Sequence, residues 1–138
     1  MLIVFLGGCE KSVDQSQLQF RTDQFGNSVA YELNSKTPFT GKSLGKDENG
    51  QISSESNYVD GLLDGLMTTW DAQGQKGIEM SFFKGKQDGL TTTWYSTGQL
   101  QQAYHAVGGE FEGVSEGCRE DGSVEWIRCW YKAGYLST

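Results

Sequence analysis

Asp64-Gly65-Leu66 returns as Asp88-Gly89-Leu90, Thr68-Thr69-Trp70 returns as Thr92-Thr93-Trp94, and Gly74-Gln75 returns as Gly98-Gln99, each 24 residues further on. The same ruler runs through the glycines. Gly41, Gly65, Gly89 and Gly113 form one series, Gly26, Gly50, Gly74, Gly98 and Gly122 a second, and Gly61, Gly85 and Gly109 a third. A fixed period of roughly 20 to 50 residues marks a repeat array, in which each unit buries its apolar surface only against its neighbours. The chain is therefore expected to stack rather than to close around one core.

Within a unit, Asn49-Gly50, Asp60-Gly61, Gln73-Gly74, Thr97-Gly98 and Asp121-Gly122 read as turns, since a turn needs positive φ and glycine adopts it without a Cβ clash. The runs between them alternate, Leu66, Thr68 and Trp70 against Met67, Thr69 and Asp71, and period two means strand. Nineteen glycines in 138 residues leave no window for a stable helix. The expected fold is all-β, an array of consecutive antiparallel hairpins forming one elongated twisted sheet. Because the repeat length is even, the apolar residues keep even numbers in every copy: Ile52 and Tyr58, then Leu66, Trp70, Ile78 and Phe82, then Leu90, Trp94 and Tyr104, then Val124, Trp126 and Trp130. One buried face and one solvated face are expected, with odd-numbered Phe83 and Tyr95 the aromatic exceptions.

The succession of Asp-Gly-Leu, an aromatic, a Gly-Gln turn and a further aromatic-x-x-Gly resembles the MORN repeat in its bacterial variant, the repeat of proteins labelled YwqK-type antitoxins. Pro38-Phe39-Thr40-Gly41 is similar to the opening of that family's first repeat, and the likeness runs from about Tyr31 to Leu136. The resemblance implies a twisted sheet of consecutive hairpins. It implies little about chemistry, because a scaffold defines the family.

Met1 to Cys9 reads Met-Leu-Ile-Val-Phe-Leu-Gly-Gly-Cys. Leu6-Gly7-Gly8-Cys9 resembles a lipobox, with small residues just ahead of the cysteine and an apolar one three back. No Lys or Arg precedes the apolar run, which is shorter than the ~7 to 15 residues of a secretory core. It is also too short to span a bilayer, which takes ~20. Residues 1–8 are read as a signal remnant, Cys9 as the lipidation site, 9–24 as a polar tether, and 25–138 as the repeat domain, opening on a half-repeat around Phe25-Gly26-Asn27 and closing on a capping hairpin.

The fourth unit departs from its siblings. Cys118 takes the slot of Trp70 and Trp94, and Trp126 and Trp130 are new. Two cysteines left over in an exported chain usually oxidise, so a Cys118–Cys129 disulfide across the Asp121-Gly122 turn is expected, provided that a bulge in the terminal strand turns both side chains to one face. Otherwise both stay free, Cys118 as a small buried hydrophobe. Glu110, Glu112, Glu116, Glu120, Asp121 and Glu125 crowd the same unit. They read as a solvated rim, because no ordered Asp/Asn calcium loop is present.

A net charge of −7 argues against nucleic acid, which needs a basic stripe. No metal motif, phosphate loop or nucleophile elbow occurs, and the single histidine, His105, reads as a surface strand residue. No catalytic residue, metal or cofactor is assigned. The expected function is a non-enzymatic protein-interaction scaffold, attached to a membrane by lipid on Cys9, in the bacterial envelope, at the outer membrane or facing the periplasm. The alternative is an antitoxin or immunity protein that binds a toxin directly. Phe83 and Tyr95 are the candidate binding surface, as edge-packing aromatics or as platforms for glycan or peptidoglycan.

Overall fold

The computed structural model describes residues 10–130, with side chains described as far as Cys129. Twelve strands and one short 3-10 turn make it up: β1 (Ser12–Asp14), the turn (Gln15–Gln17), β2 (Leu18–Thr22), β3 (Ser28–Glu32), β4 (Gly41–Lys46), β5 (Ile52–Val59), β6 (Leu62–Trp70), β7 (Lys76–Phe83), β8 (Lys86–Trp94), β9 (Leu100–Val107), β10 (Glu110–Phe111), β11 (Gly113–Cys118) and β12 (Val124–Trp130). One ten-stranded sheet runs in the order β1-β4-β5-β6-β7-β8-β9-β11-β12, with β10 alongside β9. From β4 onward every pairing is antiparallel. The all-β array of hairpins is what the repeat dictates.

Two turn types alternate along it. At one end of the sheet, Asp60-Gly61, Lys84-Gly85 and Gly108-Gly109 all have positive φ, the two-residue type I′ geometry whose twist matches that of the strands. Each such turn gives both its N–H groups to the segment that opens the preceding unit. Thr40 Oγ1 accepts from Asp60 at 2.9 Å, Asp64 Oδ2 from Lys84 at 3.2 Å, and Asp88 Oδ2 from Gly108 at 3.0 Å. The following glycine N–H reaches the carbonyl of Phe39, Leu63 or Gln87 at 2.7 to 2.8 Å. This clasp explains the repeated Asp-Gly pair. The carboxylate anchors the next turn, and its glycine takes the positive φ of a bulge inside the strand, 100° at Gly65 and 111° at Gly89.

At the other end, Asp23, Asp47 and Asp71 open four-residue turns by accepting two backbone N–H groups each on Oδ1, from residues two and four further on, at 2.8 to 3.0 Å. Tyr95 and Arg119 hold that position in the later units. The Asp carboxylates thus do locally what a ladder bond does elsewhere.

The expected single apolar face is not what forms. A hairpin that encloses an even number of residues pairs odd positions with even ones, as in Val59 with Leu62, Thr69 with Ile78, and Thr91 with Met80. Directly paired residues share a face, so parity reverses at each strand. Leu66, Trp70, Leu90 and Trp94 go to one face, while Ile78, Met80, Phe82 and Tyr104 go to the other. Away from the N-terminal hairpin the sheet is a single layer deep, and Leu66 and Leu90 are 49% and 54% exposed. Trp70 and Trp94 sit on equivalent strands of the same face, half-buried.

The residues expected as a tether are folded from Ser12 onward. Val13 and Leu18 are apolar and find a surface: β1 pairs parallel with β4 along the first edge of the sheet, and β2 and β3 form a separate hairpin. Leu18, Ala30, Phe39 and Tyr58 are buried together, with Val13 and Leu63 against them. The half-repeat is present, its Asp23 turn in phase with Asp47, but β1 covers the edge and the hairpin covers the face.

Candidate interaction surfaces

Register defines the two faces. One carries the row Ser43, Ser56, Met67, Met80, Thr91, Tyr104, which continues through the β9–β11–β12 pairing to Ser115 and Arg128, and is called here the hydroxyl face. The other, the leucine face, carries Glu55, Thr68, Glu79, Thr92, Ala103, Glu116 and Ile127. Salt bridges join Lys42 to Glu55 at 2.8 Å and Lys76 to Glu79. Hydrogen bonding to Glu55, and then its charge, raises the pKa of Lys42. The Lys76 ammonium also lies 5.8 Å from the centre of the Trp94 ring.

On the leucine face, beside the type I′ turns, alternation along the strands sets two rows of exposed apolar side chains: Val59, Phe83 and Val107, and then Leu66, Leu90 and Val114. Each row advances 24 residues per step. Two strands separate successive members, so the spacing is about 10 Å. Exposed apolar strips of this kind are interaction sites more often than solvated surface. Phe83 is 54% exposed in this strip, with the Lys84 ammonium 5.2 Å from its ring centre.

Tyr95 does not join it. It stands half-buried at the start of a turn, its hydroxyl donating to the Cys118 carbonyl at 3.0 Å, so it clasps the third unit to the fourth. His105 pairs with Leu90 in register and is exposed.

The expected disulfide is not formed: Cys118 and Cys129 are free, one buried and one exposed. A bulge does occur, at Gly117/Cys118, and alternation then turns both thiols to the leucine face. Their levels differ, however. Cys118 pairs with Val124 and Cys129 with Val114, four residues apart along β11 or about 13 Å, well beyond the ~4.4 to 6.8 Å between Cα atoms that a disulfide needs. Cys9 lies outside the described residues. Among the described residues, no cluster of three or more His, Cys, Asp or Glu could hold a metal, and no helix is long and apolar enough to cross a membrane.

A second feature, absent from the sequence reading, lies on the hydroxyl face at the far end of the array. Gln102, Tyr104, Phe111, Ser115, Trp126 and Arg128 line a cleft of about 270 Å³. Tyr104 and Phe111 meet edge to face at 4.9 Å, and the Arg128 guanidinium lies 5.0 Å from the Trp126 ring centre. Trp126 lies where a Cβ on Gly117 would fall, so glycine at 117 lets the indole flatten onto the strand. Aligning the fourth unit on the third would have exposed these positions, since Phe111 replaces Gln87, Gly117 replaces Thr93, Trp126 replaces Gln102 and Arg128 replaces Tyr104.

The family model of the MORN repeat variant matches the chain at residues 39–60 and 87–105. The first stretch runs from the buried Phe39 to the first type I′ turn, and the second covers all of β8 but Lys86, with most of β9. No curated protein and no solved structure gives a significant match to the chain.

Proposed function

Since the chain carries MORN-variant repeats, we propose that it is a non-enzymatic protein-interaction scaffold, held at the bacterial envelope by lipid on Cys9. The observation that carries the scaffold reading is the strip on the leucine face. Six exposed apolar side chains repeat at a two-strand step on a sheet with regular hydrogen bonding. Leaving them in water is unfavourable by roughly 25 cal/mol per Å² of apolar surface, and a partner that covers them recovers that free energy. Leu6-Gly7-Gly8-Cys9 supports the anchor.

The two halves of the proposal separate experimentally. A photo-crosslinking residue placed at Phe83 should give one discrete adduct in cells, lost when Leu66 and Leu90 are both changed to Ser. The same probe at Thr93, on the opposite face, should give none. Adducts of equal yield at both positions would end the scaffold reading. For the anchor, growth with an alkyne-tagged fatty acid should label the protein and fail to label Cys9→Ser, whereas label retained by that variant would rule out Cys9. A crosslinked partner that proves to be a toxin, inhibited by the protein, would shift the reading to an immunity role.

A further inference from the structure

We propose that the cleft formed by β9, β10, β11 and β12 on the hydroxyl face binds a carboxylate-bearing sugar of a glycan. The first ground is an orphaned hydroxyl. Ser115 is 2% exposed and lines the cleft, and its Oγ has no hydrogen-bond partner among the described residues. A buried polar group left unpaired has lost its water without gaining a partner, and folded proteins rarely leave one so. One repeat earlier the same slot is satisfied. Thr91 Oγ1 accepts from the Gln87 amide at 2.6 Å, and that amide also reaches the Tyr104 hydroxyl at 3.1 Å. In the fourth unit Phe111 stands where Gln87 stood, so the donor is gone and an aromatic wall has taken its place.

The second ground is the company Ser115 keeps. Three aromatic rings, an amide and a guanidinium converge on a space suited to one ring-sized group. The C–H bonds of a pyranose carry partial positive charge and suit the negative face of an aromatic ring. Sugar hydroxyls both donate and accept, which fits Gln102 and Ser115 together. An apolar peptide side chain would bury Ser115 with its hydroxyl still unpaired, whereas a sugar both stacks on the rings and pairs that hydroxyl. The third ground is Arg128. Arg128, like Arg21, Lys36, Lys84 and Lys86, has no ion pair among the described residues, and of these it alone lines the cleft, stacked on Trp126. A guanidinium so placed presents paired donors to a carboxylate. Finally, four of the fourth unit's departures from the repeat, Phe111, Gly117, Trp126 and Arg128, lie at this cleft, as expected where a repeat has left its scaffold consensus for a ligand.

The test uses the full chain, isotope-labelled, titrated with an oligogalacturonate and in parallel with a neutral galactan oligosaccharide of the same length, following the Trp126 indole N–H. The expected result is a saturable shift at Trp126, with the neutral sugar about tenfold weaker for want of the charged pair. Arg128→Gln should reduce the acidic sugar to the level of the neutral one. Ser115→Ala separates binding from folding: deleting an unpaired buried hydroxyl should leave the melting temperature unchanged or higher, yet weaken both sugars several-fold. Absence of a shift at Trp126 would overturn the proposal, and so would equal affinity for the two sugars or unchanged affinity in Arg128→Gln. A shift produced by a tyrosine-containing peptide and not by either sugar would assign the cleft to a protein partner and overturn it equally.

Discussion

Asp64 and Asp88 are polar residues inside β-strands, where aspartate is disfavoured, and their hydrogen bonds to the next type I′ turn explain why the repeat keeps them. Removing one leaves a turn N–H without its acceptor. Asp88→Ala should therefore cost about 1 kcal/mol, and Asp88→Asn, whose amide oxygen still accepts, about half of that, measured by denaturant unfolding. The turn aspartates add a pH dependence. Hydrogen bonds hold the Asp23 carboxyl below its ordinary pKa, chiefly from the Asn27 side chain, and they do the same for Asp121 and Asp14, chiefly from Ser123 and Ser16. A depressed folded pKa means stability that is complete above the unfolded value and lost as pH falls through the folded one. The melting temperature should hold from pH 7 to about 5 and fall below about 4. Asp23→Asn should flatten the fall, and an equally steep acid slope in that variant would remove Asp23 from the cause.

At the scale of the element, the glycines do unequal things. Gly74 closes a turn with open space around it, so Gly74→Ala pays only for the positive φ, roughly 1 to 2 kcal/mol. Gly89 sits in a strand bulge at φ 111°, and a Cβ there would come within 2.8 Å of Ser81 Cβ on the neighbouring strand. Gly89→Ala should cost at least twice as much as Gly74→Ala in the same unfolding assay. Equal costs would mean that the bulge relaxes freely and is not what sets the register of β8.

For the whole molecule, burial is uneven. The cluster of Leu18, Ala30, Phe39 and Tyr58 joins the first hairpins to the N-terminal hairpin, while the later units rest on ladder bonds, half-buried side chains and a few small buried ones such as Thr91 and Ala106. Stability in such arrays is a sum of unit and neighbour terms, so protection should grade along the chain. Backbone amides of β4 to β6 should exchange slowest with deuterium, and those of β11 and β12 fastest. Phe39→Ala should cost about 3 to 5 kcal/mol and abolish the gradient. Uniform protection in the wild-type chain would indicate a single cooperative unit instead.

The 24-residue step, the glycine series and the strand alternation by themselves determined an all-β stack of hairpins, because turn chemistry and period two are local properties that a sequence displays directly. They did not determine the faces. Which parity points where depends on how many residues each turn encloses, and a count fixed by pairing across space sends Leu66 one way and Met80 the other. The same holds for Cys118 and Cys129, whose face the bulge matches but whose level the register separates, and for Val13 and Leu18, which read as tether until a sheet edge and a buried cluster receive them. Ser115 is the clearest case: its hydroxyl is ordinary in sequence, and among the described residues it goes unpaired, in a fold where the slot held by Gln87 one repeat earlier is held by Phe111, which has no donor to offer.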